Sequence, residues 1–163
     1  MPLISGAFIQ EQLVMMSNIY AVVILALLSS SALAEKLPAD ANPLTSADVK
    51  ALYAGKSADW STTRAYFAPN GKFLTVAKDG SWFNENGEWT VKGNKICATS
   101  RWKDEKTGQN KSSNDCWTWF KVGPKYLSLW SGEKNNVNGY YAKELDKMVA
   151  GDEVSPVVAK LKK

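Results

Sequence analysis

The sequence contains no histidine. That absence removes Ser-His-Asp and Cys-His nucleophilic catalysis, and with them the commonest side-chain ligand for transition metals. Arginine is scarce as well, with only Arg64 and Arg101. Without interleaved guanidinium groups or a block of like charge, the aromatic residues do not read as base-stacking platforms, and no nucleic-acid partner is expected. The glycines are scattered singly among turn signals, so there is no Gly-rich phosphate loop. No run fits a calcium-binding loop, and Asn84-Glu85-Asn86-Gly87 reads as a hairpin turn. The acids available to pair across a glycosidase cleft (Glu85, Glu88, Asp104, Glu105, Asp115 and Glu133) sit mostly in or beside turns and read as solvated. No enzymatic activity, metal or cofactor is therefore expected, and no residue is assigned as catalytic.

Positive charge is also missing from the start of the chain, where no lysine or arginine precedes Lys36. Ile19 to Leu28 is an uncharged apolar run, shorter than the about 20 residues a membrane helix needs. Small residues Ala32 and Ala34 follow it at the spacing of a cleavage site. The reading is a secretory signal peptide over residues 1–34, cut after Ala34, with an uncleaved anchor as the alternative. A signal peptide ordinarily opens with a positive region, so Met15 or Met16 is an alternative start to Met1. Removing 34 residues loses Glu11 and no basic residue, raising the net charge from +4 to +5. The remainder is one domain's worth of chain, destined for the periplasm or secretion.

What the sequence has in quantity is tryptophan. Five of the seven, with both cysteines, lie between Gly87 and Trp130. This stretch reads as a four-stranded antiparallel meander. Two cysteines in an exported chain imply one disulfide, and their spacing is not the Cys-x-x-Cys of a redox pair. If Cys97 and Cys116 face each other on adjacent strands, Ile96 opposes Trp117, Thr99 opposes Asn114 and Trp102 opposes Lys111. Ile96, Ala98 and Trp102 then share a face with Trp117 and Trp119, while Cys97, Thr99, Cys116, Thr118 and Phe120 share the other. Cross-strand pairs of this kind contribute ~0.2–1 kcal/mol each, and a disulfide closing such a loop about 3 kcal/mol. A bridge between non-neighbouring strands remains the alternative.

Upstream, residues 35–43 read as a flexible lead-in. Thr45 and Asp48 form a capping box for a helix from Ser46 to Ala54, with Val49, Leu52 and Tyr53 as its apolar stripe and Gly55 as its stop. Turn signals at Asn70-Gly71, Asp79-Gly80, Asn86-Gly87 and Gly93-Asn94 separate short apolar runs. The fold class expected is mainly β: an antiparallel meander closing into a small lipocalin-like barrel over residues 44–149, with one short N-terminal helix and one disulfide. Lys103 to Ser113 and Ser131 to Asn136 read as polar loops, and Val137 to Leu145 as the last strand, with a helix over Ala142 to Val149 as the alternative. Residues 150–163 form a basic tail, mobile from Val157 onward.

Several residues in order carry a resemblance. They are Asp48-Val49 with Leu52-Tyr53 and Gly55-Lys56, Tyr66-Phe67 with Pro69-Asn70-Gly71 and Phe73, Gly87-x-Trp89-x-Val91-x-Gly93 before Cys97, and Cys116-Trp117. The set resembles the bacterial family catalogued as domain of unknown function 995, over roughly Leu44 to Tyr141. The resemblance implies a small exported protein with a lipocalin-like β fold. It carries over no activity and no site residue.

A small barrel can bury several tryptophans but not easily all of them. Trp89, Trp102, Trp117, Trp119, Trp130 and Tyr126 are the candidate ligand-binding residues, for a small apolar or carbohydrate ligand that stacks on ring faces. A non-enzymatic binding module is the first expectation. The alternative is an interaction or inhibitor role toward an envelope protein, with 35–43 as an insertable segment. Lys160, Lys162 and Lys163 would add weak attraction to anionic surfaces.

Overall fold

The computed structural model describes residues 37–104, 107–132 and 139–163. The signal peptide expected over 1–34, its cleavage after Ala34 and the choice of start codon lie outside these. The elements in order are β1 (Asn42–Pro43), α1 (Ser46–Tyr53), β2 (Lys56–Asp59), β3 (Thr63–Phe67), β4 (Lys72–Ala77), β5 (Phe83–Lys92), β6 (Lys95–Lys103), β7 (Asn110–Val122), β8 (Lys125–Trp130), a 3-10 turn (Leu145–Lys147), β9 (Met148–Ala150) and α2 (Ser155–Leu161).

The β6–β7 hairpin has the register that the cysteines imply. Ile96 pairs with Trp117, Cys97 with Cys116, Thr99 with Asn114 and Trp102 with Lys111, and the disulfide joins Cys97 to Cys116. Ile96, Ala98, Trp117 and Trp119 are buried, so their face is the core side. The ladder runs on to Lys103–Asn110, which shortens the polar loop expected from Lys103 to Ser113 to its tip.

All nine strands belong to one antiparallel sheet in the order β1-β7-β6-β5-β4-β3-β2-β9, with β8 on the free side of β7. Among the described residues the ladder does not close, and the expected barrel is an antiparallel half-barrel. The reason lies after Trp130. Of the strand expected over Val137 to Leu145, the described part makes one bridge, Tyr141 to Ser128 of β8. The chain then turns through Leu145–Lys147, and only Met148–Ala150 pairs with β2. A single bridge on one side and a three-residue strand on the other span the seam.

The helix begins as its capping box requires: the Asp48 amide donates to Thr45 Oγ1 and the Thr45 amide to Asp48 Oδ2, both at 3.2 Å. It ends at Gly55, whose φ of +75° suits glycine and whose N–H donates to Phe67 O. Val49 and Tyr53 of α1 are fully buried, and the Tyr53 ring packs against Phe67, Trp117 and Trp119. Ser46 Oγ donates to Gly93 O, which sets α1 beside the β5–β6 turn. This end of the half-barrel is filled. The lead-in is not wholly free, because Asn42 and Pro43 pair with Lys121 and Phe120.

Two expectations fail for physical reasons. Asn86-Gly87 is not a hairpin turn but lies inside β5, where the pairing with β4 shifts register between Phe73 and Thr75. A Cβ on Gly87 would lie 2.4 Å from Thr99 O and 2.5 Å from Phe73 O, so glycine here admits two neighbouring backbones. The Asn84 side chain completes the irregularity, donating to Phe73 O and accepting from the Asn86 and Arg101 amides. Nor is the end of the chain a loose tail. Asp152 accepts from the Val154 and Ser155 amides and the Ser155 hydroxyl, opening α2. Pro156 sits in the first turn, where its missing N–H costs nothing. Val154 and Val158 pack on Val76, with Tyr66, Leu74 and Phe83 around them on the outer face of the sheet. Each such valine contributes ~1.5–3 kcal/mol on burial.

Candidate functional site

Away from α1, the inner face opens into a cavity of about 550 Å³. Ligand cavities run from about 300 to 1,000 Å³. The β2–β3 turn contributes Trp60 to Thr63, β4 contributes Phe73 and Thr75, and the β4–β5 connection contributes Trp82. Ser100 and Trp102 come from β6, Ser113, Asp115 and Trp117 from β7, Ser128 and Trp130 from β8, and Tyr141, Glu144 and Lys147 from the seam.

The indoles are arranged in pairs. Trp60 and Trp117 lie 5.4 Å apart and nearly parallel, at 9°. Trp82 and Trp102 stack at 4.5 Å and 25°. Trp60 donates its indole N–H to Glu144 Oε1 at 2.6 Å, and Trp130 donates to Asp115 Oδ1 at 3.0 Å. Trp102 differs: its indole nitrogen is buried and has no hydrogen-bond partner among the described residues.

Polar groups lie among the rings. The Thr75 and Ser100 hydroxyls are 3.4 Å apart, and Asn84 donates to Ser100. Ser128 donates to Tyr141 O. Glu144 is buried, and its second oxygen accepts from Lys147 Nζ at 2.8 Å. Lys147 Nζ also lies 4.7 Å from the centre of the Tyr141 ring. Deeper in, burial holds the Tyr53 hydroxyl's pKa well above its ordinary value. The charge on Glu144 adds to that effect, and the hydrogen bond from Trp119 opposes it.

Three of the six residues expected to bind ligand line this cavity: Trp102, Trp117 and Trp130. The other three do not. Trp119 is fully buried and donates to Tyr53 Oη. Trp89 is buried, donates to Ala68 O and borders a separate groove beside α1. Tyr126 packs against the core cluster, with Lys121 Nζ 5.5 Å from its ring centre. Trp60, Trp82, Tyr141, Glu144 and Lys147 were absent from the expected set. Alternation along β6 does put Ser100 and Trp102 on the Trp117 face, but no local pattern announces the seam residues. Lys160, Lys162 and Lys163 are exposed on and after α2, and Lys162 is ion-paired with Glu85.

Among the described residues, no cluster of three or more potential metal ligands occurs. No described helix is long and apolar enough to cross a membrane. The family model described as protein of unknown function (DUF995) matches residues 21–159. No curated protein and no solved structure matches the chain.

Proposed function

The chain belongs to the family of proteins of unknown function DUF995, and from that premise we propose a non-enzymatic binding module that holds a small saccharide in its tryptophan-lined mouth. In this reading the protein is exported, and the Cys97–Cys116 bond forms in an oxidising compartment. The observation that carries the proposal is a cavity in which five indoles stand among the Thr75, Ser100, Ser113 and Ser128 hydroxyls. A saccharide has both complements, C–H faces that stack on indole and hydroxyls that pair with those of the lining. A purely apolar ligand would cover those hydroxyls without pairing them, and an unmade bond of this kind costs about 1–3 kcal/mol.

Tryptophan emission, titrated with neutral disaccharides and separately with a fatty acid, tests this. Trp102→Ala removes an indole face from the cavity wall, so saccharide affinity should fall about tenfold, the equivalent of about 1.4 kcal/mol. Trp89→Phe, at the filled end, should leave affinity unchanged. Binding of the fatty acid alone, or equal losses in the two variants, would refute the saccharide reading.

A further inference from the structure

We propose that the saccharide carries a cationic amine and that Asp115 selects it. This rests on the binding reading above and adds the chemical class of the ligand.

The acidic and basic side chains among the described lining residues are Asp115, Glu144 and Lys147. Among those residues acids outnumber bases, in a chain whose overall charge is +4. Its two carboxylates are not equivalent. Glu144 is fully engaged, with Oε1 accepting from Trp60 and Oε2 from Lys147. Asp115 is engaged on one side only: Oδ1 accepts from Trp130, and Oδ2 has no side-chain partner among the described residues. Asp115 is half-buried, and the ring it holds, Trp130, is 44% exposed. A half-buried carboxylate with one open oxygen, fixed beside an exposed indole, suits an ammonium group. The oxygen accepts a charge-assisted hydrogen bond, about twice as strong as a neutral one. A neutral hydroxyl can donate to Oδ2 but gains no charge assistance. An acidic sugar meets two carboxylates against one lysine already paired. The sugar ring of the same ligand supplies C–H faces for the indoles that line the cavity, which a simple alkylammonium lacks.

Three disaccharides with the same β-1,4 linkage isolate the amine. They are cellobiose, fully deacetylated chitobiose and N,N′-diacetylchitobiose, which carry hydroxyl, ammonium and acetamide at the same carbon. Affinity is read by tryptophan fluorescence and calorimetry on the disulfide-intact protein, at slightly acidic pH and low salt. Deacetylated chitobiose should bind about tenfold more tightly than cellobiose, and most of that margin should vanish in about 0.5 M salt. Asp115→Asn, which keeps an acceptor for Trp130, should bring the two ligands within about threefold of each other. Should Asp115→Asn fail to fold, the ligand order and salt dependence of the wild type still decide. Cellobiose or the diacetyl sugar binding as tightly as the amine would overturn the amine inference and leave the saccharide reading standing. A preference for the amine that survives intact in Asp115→Asn would overturn the role of Asp115. If none of the three binds, both proposals fall.

Discussion

Glu144 joins the seam to the body of the half-barrel, and truncating it should expose how much that joint contributes. Its carboxylate is 5% exposed and accepts from Trp60 Nε1 at 2.6 Å and from Lys147 Nζ at 2.8 Å. The two bonds differ in worth. Trp60 donates to an ionised group in a largely buried setting, a class worth about 1.5–3 kcal/mol. The lysine is a third exposed and can rehydrate, so its pair contributes about 0.5–1 kcal/mol. Glu144→Ala should therefore destabilise the fold by roughly 2–4 kcal/mol, as the sum of those two classes. Glu144→Gln keeps an acceptor for Trp60 and gives up the charge, so its cost should be about 1 kcal/mol. Denaturant unfolding followed by tryptophan emission measures both, and an unchanged slope with a shifted midpoint identifies a true stability change. The Trp60 indole N–H resonance should move strongly in the alanine variant and weakly in the glutamine variant. If Glu144→Ala is within about 0.5 kcal/mol of wild type, or no worse than Glu144→Gln, the joint described here does not hold the seam.

Two further outcomes follow from the core and from the C-terminal helix. Tyr53→Phe leaves Trp119 Nε1 buried without its acceptor, so stability should fall by about 1–3 kcal/mol. Adding Trp119→Phe should cost much less than independent effects predict, and strict additivity in this double-mutant cycle would rule out the bond. The Asp152 carboxyl pKa is lowered: burial pushes it up, but hydrogen bonds from the Ser155 hydroxyl and the Ser155 and Val154 amides outweigh that. Its folded pKa lies below its unfolded one, so its contribution is complete above the ordinary carboxylate value of about 3.9 and is lost as pH falls through the folded pKa. Amides of α2 should exchange faster below that range, and Asp152→Ala should cost about 0.5–2 kcal/mol and abolish the pH dependence. Protection of α2 that does not change with pH would contradict the assignment.

How much of this was legible depended on how local the cause was. The register of β6 and β7 was readable because one covalent pair fixes every other pair in an antiparallel ladder, and the whole hairpin obeys it. The start of α1 was readable because its cap is made within four residues. Asn86-Gly87 misled because the same dipeptide serves a hairpin turn or a close backbone approach. Only the neighbouring strands at Phe73 and Thr99 decide between them. The tail misled because its lysines and Pro156 drew attention from Val154 and Val158, four residues apart on one helix face. The seam was out of reach, since Trp60 and Glu144 are 84 residues apart and no periodicity links them. At the candidate site, alternation grouped Trp102, Trp117 and Trp119 on one face but gave neither which face is the core nor depth along the strand. Trp117 and Trp119 share a face, yet Trp119 is sealed under Tyr53 while Trp117 reaches the cavity.

Depth is where the division between closed core and open mouth arises. Along the inner face of a single hairpin, opposed pairs run from Ile96 with Trp117, through Ala98 with Asp115, to Ser100 with Ser113. The period of the strand does not change, but the chemistry does. At the α1 end the face is apolar and closed; toward the mouth it becomes hydroxyl, carboxylate and exposed indole. A face serving only as core would run apolar to its end, since burying polar groups costs free energy unless each is paired. Here the polar groups gather at one end, and Asp115 Oδ2 keeps no side-chain partner among the described residues.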